Sequence, residues 1–363
     1  MRRQKEPLFQ MSRREELPFL KAVFIRAVAV VLSLLVCALF IFLLTGLNPA
    51  EVYATMIDGA VGTSRRSWIL VRDAMVLLCV SLALAPAFRM RFWNIGAEGQ
   101  ILVGGVATAA CMIILGDALP APALMLVIIV TSVLAGAIWG LIPALFKARW
   151  NTNETLFTLM LNYVAIQIVS YCVVFWENPA GSNSVGVINP STNAGWLPSL
   201  FGAQYGWNVV IVLVLTAVMY LYMNHSKQGY EVAVVGESEN TARYAGISVS
   251  RVIIRTMAIS GGIAGLAGFI LVSGSGHTIS TTIADGRGYT AIVVAWLARF
   301  NPVYMILISF FLTFMERGAI QIATAYNLSE YASDMVTGII LFFILGSEFF
   351  INYQLRLRKK EAA

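Results

Sequence analysis

Apolar runs of membrane length recur along almost the whole chain, and that recurrence leaves few folds open. A bilayer core about 30 Å thick takes roughly 20 apolar residues per helix. Runs of this kind occupy residues 27–47, 68–88, 101–116, 123–146, 155–176, 207–223, 252–272, 289–298, 303–322 and 331–350. The eighth, at ten residues, is too short to cross alone. It reads as one half of a broken span or as a helix extended by its polar approach. Composition agrees, because 58% of the 363 residues are hydrophobic and 12% are charged, against about 25% charged in soluble domains. A soluble enzyme is excluded. The expected fold class is an all-α polytopic membrane protein with about ten transmembrane helices.

Orientation follows from the basic residues, which concentrate in cytoplasmic connections. With the first residue inside, all 25 Lys and Arg except Arg65, Arg66, Arg72, Arg287 and Arg317 fall on the cytoplasmic side. The division is then a cytoplasmic basic tail at 1–26, one membrane domain at 27–350 and a cytoplasmic tail at 351–363. The first tail, with Arg2, Arg3, Lys5, Arg13 and Arg14, reads as a topology anchor beside anionic headgroups and not as a nucleic-acid patch. The 177–206 connection holds no Lys or Arg and is rich in Asn, Ser, Gly and Pro. It is expected to be the largest external loop.

Two polar, glycine-broken stretches interrupt the lipid pattern. Phe92-Trp93-Asn94-Ile95-Gly96-Ala97-Glu98-Gly99-Gln100 runs straight into the third span, and Asp285-Gly286-Arg287-Gly288-Tyr289-Thr290 runs into the eighth. Non-helical backbone at membrane depth is tolerated where it is buried in protein or lines a watery cavity. Asn94, Glu98 and Gln100 are therefore candidate hydrogen-bonding groups for a small polar solute, with Phe92 and Trp93 as stacking surfaces. The alternative is an ordinary turn with interfacial aromatics. The two stretches stand five spans apart in opposite orientation, as in an inverted repeat of spans two to five against seven to ten whose broken helices meet near the midplane.

A third feature lies in the 225–251 segment. In Gly236-Glu237-Ser238-Glu239-Asn240-Thr241-Ala242-Arg243-Tyr244-Ala245-Gly246-Ile247, Ser238 suits an N-cap, Glu239 the positive helix start and Gly246 a left-handed stop. About two turns of helix result. So short a helix is marginal in water, and it is expected to be packed against something.

Other residues read as structural. Gly136-x3-Gly140, Gly261-x3-Gly265 and Ala264-x3-Gly268 let helix backbones approach closely. Cys37, Cys79, Cys111 and Cys172 lie far apart in apolar runs, with no metal or redox spacing. Asp73 follows Arg72, Glu316 precedes Arg317, and Asp334 and Glu348 lie within about a turn of their span ends, where pairing or exposure to water is available. No GxxxxGK[ST] loop, GxSxG elbow or HExxH occurs, so nucleotide hydrolysis and hydrolase chemistry lack their parts in this chain.

The motifs together resemble a family. Phe92 to Gln100 is similar to the F-x-N-I-G-x-E-G-Q signature of permease subunits of ATP-binding cassette importers in the ribose and nucleoside branch. Those that work with nucleoside-binding lipoproteins are the most similar. Asn153-Glu154-Thr155 and Leu159-Met160-Leu161-Asn162-Tyr163 resemble the same group's N-E and T-L-M-L-N-Y run. Gly286 to Ala295, with Asn301-Pro302 after it, resembles its G-x-G-[FY]-x-x-I-A-V-A segment. Gly236, Ala242, Tyr244, Ala245, Gly246 and Ile247 match its coupling helix, while Ser238, Glu239 and Thr241 replace the usual Asn, Pro and Ala.

The resemblance implies a channel-forming subunit for nucleoside uptake. It also implies a second permease subunit, expected to be a different chain, a cytoplasmic ATPase that holds the ATP and Mg, and an extracytoplasmic solute-binding lipoprotein. No cofactor is expected in this chain. The solute pathway would then involve Phe92, Trp93, Asn94, Glu98, Gln100, Asn162, Gly286, Gly288 and Tyr289. Coupling to the ATPase would involve Gly236, Ser238, Ala242, Arg243, Tyr244, Ala245, Gly246 and Ile247. Rival readings are a permease for ribose or another simple sugar, and an ion-coupled secondary transporter. A membrane enzyme is disfavoured by the lack of a nucleophile and base pair.

Overall fold

The computed structural model describes residues 9–14, 18–46 and 48–357, so Arg2, Arg3 and Lys5 of the first tail and Arg358, Lys359 and Lys360 of the last lie outside the described residues. Among them the helices are, in order, α1 (Phe19–Thr45), α2 (Pro49–Val61), α3 (Ser64–Arg89), α4 (Ala97–Leu115), α5 (Ala121–Trp150), α6 (Glu154–Phe175), α7 (Gly206–His225), α8 (Lys227–Glu237), α9 (Glu239–Tyr244), α10 (Val249–Leu271), α11 (Arg287–Leu297), α12 (Pro302–Ala325) and α13 (Glu330–Asn352). Nine of these are long and apolar enough to cross a membrane. The fold is an all-α polytopic membrane protein, as the recurring apolar runs require. The eighth run is α11, an 11-residue helix, so the eighth of the ten expected spans is the one that falls short of membrane length.

The chain divides into two compact units, Ser67–Thr313 and the pair of segments Met1–Arg66 and Phe314–Ala363. In the larger unit α10 packs along α5 and α4, and glycines set how closely. A Cβ on Gly261 would stand 2.3 Å from the Gly136 carbonyl oxygen, and one on Gly265 would stand 2.2 Å from that of Ser132. Residues four apart lie on one helix face. The small-residue spacings thus become a seam along which two backbones touch without intervening side chains. Past Leu271, α10 continues as one π-helical turn, Val272–Gly276.

The connection between α6 and α7 is tied to that turn. Leu197 N–H donates to Ser273 O at 3.0 Å, and the Ser273 hydroxyl donates to Gly195 O at 2.5 Å. Ile188 N–H donates to His277 O at 2.8 Å. Trp196 stacks on the His277 ring at 3.7 Å, with 6° between the planes. Burial lowers the His277 pKa from its ordinary value.

In the smaller unit α1 packs against α13, where Arg26 ion-pairs with Glu348. The apolar-run reading passed over α2. Its start is nonetheless written in the chain, since Asn48 accepts from Ala50 N–H at 3.0 Å, Pro49 opens the helix and Glu51 sits in the first turn. A two-stranded antiparallel ribbon joins β1 (Phe9–Arg13) to β2 (Tyr353–Leu357), with Phe9 opposite Leu357. Cys37 and Cys79 are buried, Cys111 and Cys172 are half-buried, and all four are free.

Candidate functional site

Two helix starts face each other. After α3 the backbone turns at Arg91, whose φ is +60°, and Phe92 N–H returns to Ala87 O at 3.0 Å. The chain then opens α4 at Gly96. The start of α11 turns at Asp285 and Gly286, with φ of +52° and +68°. Gly286 occupies a conformation that glycine adopts without a Cβ clash. Gly288 is required for closeness, because a Cβ there would lie 2.6 Å from Glu98 N.

Glu98 joins the two starts. It lies in the first turn of α4, and its Oε1 and Oε2 accept from Gly286 N–H at 2.9 Å and Gly288 N–H at 2.8 Å. A helix start carries a partial positive charge from unsatisfied N–H groups, so two starts brought together repel. A carboxylate between them offsets that repulsion, and its own burial is offset by two charge-assisted bonds.

Behind this junction the polar side chains bond to one another. Asn94 Nδ2 reaches Gln100 Oε1 at 3.3 Å and Ser260 Oγ at 3.2 Å, and Asn94 Oδ1 accepts from Gly96 N–H at 3.0 Å. Asn162 Oδ1 accepts from Gly99 N–H at 2.9 Å, while its Nδ2 donates to Ile95 O at 2.9 Å and Tyr289 OH at 3.3 Å. The Thr158 hydroxyl accepts from Ile95 N–H at 3.2 Å. Asn94, Glu98, Gln100 and Asn162 are all buried.

Their hydrogen-bonding groups thus shape the loop, whereas the sequence expectation had Asn94, Glu98 and Gln100 offering bonds outward. Phe92 also turns inward, into an apolar cluster with Met90 and Ala87. The exposed members are the aromatics, Trp93 at 45% and Tyr289 at 44%. Trp93 stacks with Trp296, centroids 5.6 Å apart. Sequence reasoning missed Thr158, Ser260 and Trp296. The available signal for Trp296 was its position seven residues after Tyr289, on the same face of α11.

The second candidate site is α9. Ser238 adopts an extended conformation and accepts from Thr241 N–H at 3.2 Å, so it caps the helix. Gly246 ends it with φ of +76°. Arg243 pairs with Glu239 at 3.4 Å on the open face. Ala242 is fully buried among Met90, Phe92, Val235 and Ile253, with Ile247 packed against them, whereas Tyr244 is 94% exposed. The two residues therefore differ in kind. Ala242 seats the helix on its own chain, and Tyr244 with Arg243, Ala245 and Gly246 forms the outward surface.

Sequence reading also missed α8, which Ser226 caps by accepting from Gly229 N–H at 2.9 Å. Gly236, in the last turn of α8, lies against the end of α3, where a Cβ would stand 2.1 Å from Arg89 O. A cleft of about 240 Å³ lies beside this junction, between Arg91, Glu237, Glu239 and the Lys147–Glu154 ion pair.

Comparison with known proteins accords with the four motifs. Residues 68–345 match the family described as branched-chain amino acid transport system, permease component. The guanosine ABC transporter permease protein NupP of Bacillus subtilis (strain 168) is 30% identical over 344 residues, covering 93% of this chain and 96% of that protein. The glucose ABC transporter permease protein TsgB13 of Haloferax volcanii is 28% identical over 319 residues, 85% of this chain and 83% of that one. The nucleoside ABC transporter permease protein NupB of Lactococcus lactis subsp. cremoris is 25% identical over 335 residues, 89% and 91% of the two chains. With its motifs, its membrane-length helices and this end-to-end likeness, the chain belongs to the branched-chain amino acid transport system permease component family of multi-pass membrane proteins.

Proposed function

We propose that this chain is the transmembrane permease subunit of an ABC importer that carries a nucleoside across the cytoplasmic membrane. The observation that carries the reading is the end-to-end likeness to NupP and NupB, whose names specify guanosine and nucleosides. A second permease subunit, different from this one, completes the pathway. ATP and Mg are bound and used on a cytoplasmic ATPase, an extracytoplasmic lipoprotein delivers the solute, and both termini of this chain are cytoplasmic. This chain takes no catalytic part.

The pathway side of the subunit is the exposed face of α11 with Trp93. Tyr289, held by Asn162 at 3.3 Å, and Trp93, stacked on Trp296, present flat apolar rings, which suits brief stacking on a nucleobase. A wall that stacks without a converging set of hydrogen bonds holds the solute weakly, and weak holding permits release. Force enters at α9, whose outward surface docks on the ATPase.

The test is uptake of labelled guanosine by cells expressing this chain with its partner subunits. Uptake that requires the partner ATPase supports the reading. Concentrative uptake by this chain alone in liposomes, driven by an ion gradient, overturns it. The likeness to TsgB13 favours a second reading, a sugar permease. Glucose accumulation without guanosine accumulation in the same cells would establish that instead.

A further inference from the structure

We propose that Asp73 and Arg287 form the positioning contact that sets the start of α11, and with it Tyr289, for solute passage. The inference rests on the pathway reading above. Arg287 is the middle residue of the Gly286-Arg287-Gly288 turn, and its two neighbours give their N–H groups to Glu98. The backbone of the turn is thereby tied to α4. The Arg287 side chain, 10% exposed, reaches across to α3, where its guanidinium lies 3.6 Å from Asp73 Oδ1. The turn is thus gripped from two helices, by an anion on its backbone and another on its side chain.

Asp73 is itself fixed. Its side chain is 4% exposed, and the same oxygen takes the Arg72 guanidinium at 2.9 Å. Arg72 in turn lies over the Tyr205 ring, 5.3 Å from the centroid, at the start of α7. An arginine and a carboxylate at membrane depth are costly unless paired, and charges so placed mark a functional arrangement. Helix packing alone would be met by apolar side chains at these positions. Arg287 also has a second carboxylate, Asp285, at the same 3.6 Å, on a side chain 63% exposed. The guanidinium therefore stands between a buried partner on α3 and an open one on its own turn. It can exchange them as the turn shifts.

The discriminating variant is Arg287→Gln, because Asp73 then keeps Arg72 as its counter-ion and no buried carboxylate is left bare. In the complete importer, expressed in cells with its partners, Tyr289→Cys is labelled with a small methanethiosulfonate reagent, with and without guanosine. Labelling of the parent chain is subtracted.

Guanosine should protect the thiol. Adding Arg287→Gln should change the labelling rate by about fivefold or more, the lower end of ordinary coupling between two sites, and Asp73→Asn should shift it in the same direction. Arg287→Lys should restore most of the original rate. A protected thiol whose rate is the same with Arg287→Gln overturns the positioning role and leaves the pathway reading standing. A thiol that is neither labelled nor protected overturns both. If Arg287→Gln does not reach the membrane, Asp73→Asn is read by transport. A raised KM for guanosine at unchanged kcat supports the role, and wild-type values of both overturn it.

Discussion

Glu98, in the first turn of α4, accepts the backbone N–H of Gly288, in the first turn of α11, at 2.8 Å. Two helices whose contacting residues stand 190 positions apart thus begin at one carboxylate, and the paired broken stretches of the sequence are one junction.

Replacing Glu98 by Gln turns one of the two acceptors into a donor facing an N–H. Leaving a buried group unsatisfied costs about 1–3 kcal/mol, and the charge that offsets the two helix starts is lost as well. Glu98→Gln should therefore lower the unfolding temperature of the purified protein and reduce guanosine uptake. A variant with unchanged melting and uptake would show that the junction is held by other contacts.

The glycine seam predicts a steeper loss. Gly265→Leu places a side chain where even a Cβ stands 2.2 Å from Ser132 O. Overpacking of a tight core typically costs about 1–3 kcal/mol and occasionally more. Membrane-extracted protein should aggregate or melt early by size exclusion and thermal scanning, whereas Gly246→Ala, at an exposed turn, should lose less stability.

Ala242 and Tyr244 should separate folding from coupling. Ala242→Asp buries an unpaired carboxylate in an apolar cluster and is expected to reduce the amount of folded protein in the membrane. Tyr244→Asp, on the open face, should insert normally and lose solute-stimulated ATPase activity of the assembled importer. Wild-type stimulation in Tyr244→Asp would leave α9 as a surface turn.

The His277 stack predicts a dependence on pH. His277 Nδ1 is buried without a hydrogen-bond partner, and burial lowers the pKa of the ring. A depressed folded value means that the stabilisation is complete above the unfolded value of about 6.5. It is lost as pH falls through the lower folded value. Amide exchange in the 186–197 segment should rise on acidification, and His277→Phe, which keeps the ring stack, should remove that rise.

The membrane helices were legible because their signal is additive, with some twenty apolar residues agreeing at each span. The α9 cap was legible for the opposite reason, since Ser238 and Gly246 act locally. What the sequence left hidden depends on direction in space. Asn94 and Gln100 carry the same amide groups whether they point to solute or to each other, and only the fold turns them inward. Asp73 read as an interfacial carboxylate because its distant partner, Arg287, is 214 positions away. The ribbon of β1 and β2 depends on bringing both ends of the chain together.

The apolar cluster under α9 contains Phe92 as well as Ala242, and Trp93 is the next residue along the chain. A displacement of α9 by a bound motor subunit would therefore meet the ring-bearing segment through one layer of side chains. If α9 docks on the motor subunit as proposed, timing becomes a matter of packing stiffness: a softer cluster would waste strokes, turning over fuel while the rings stood still.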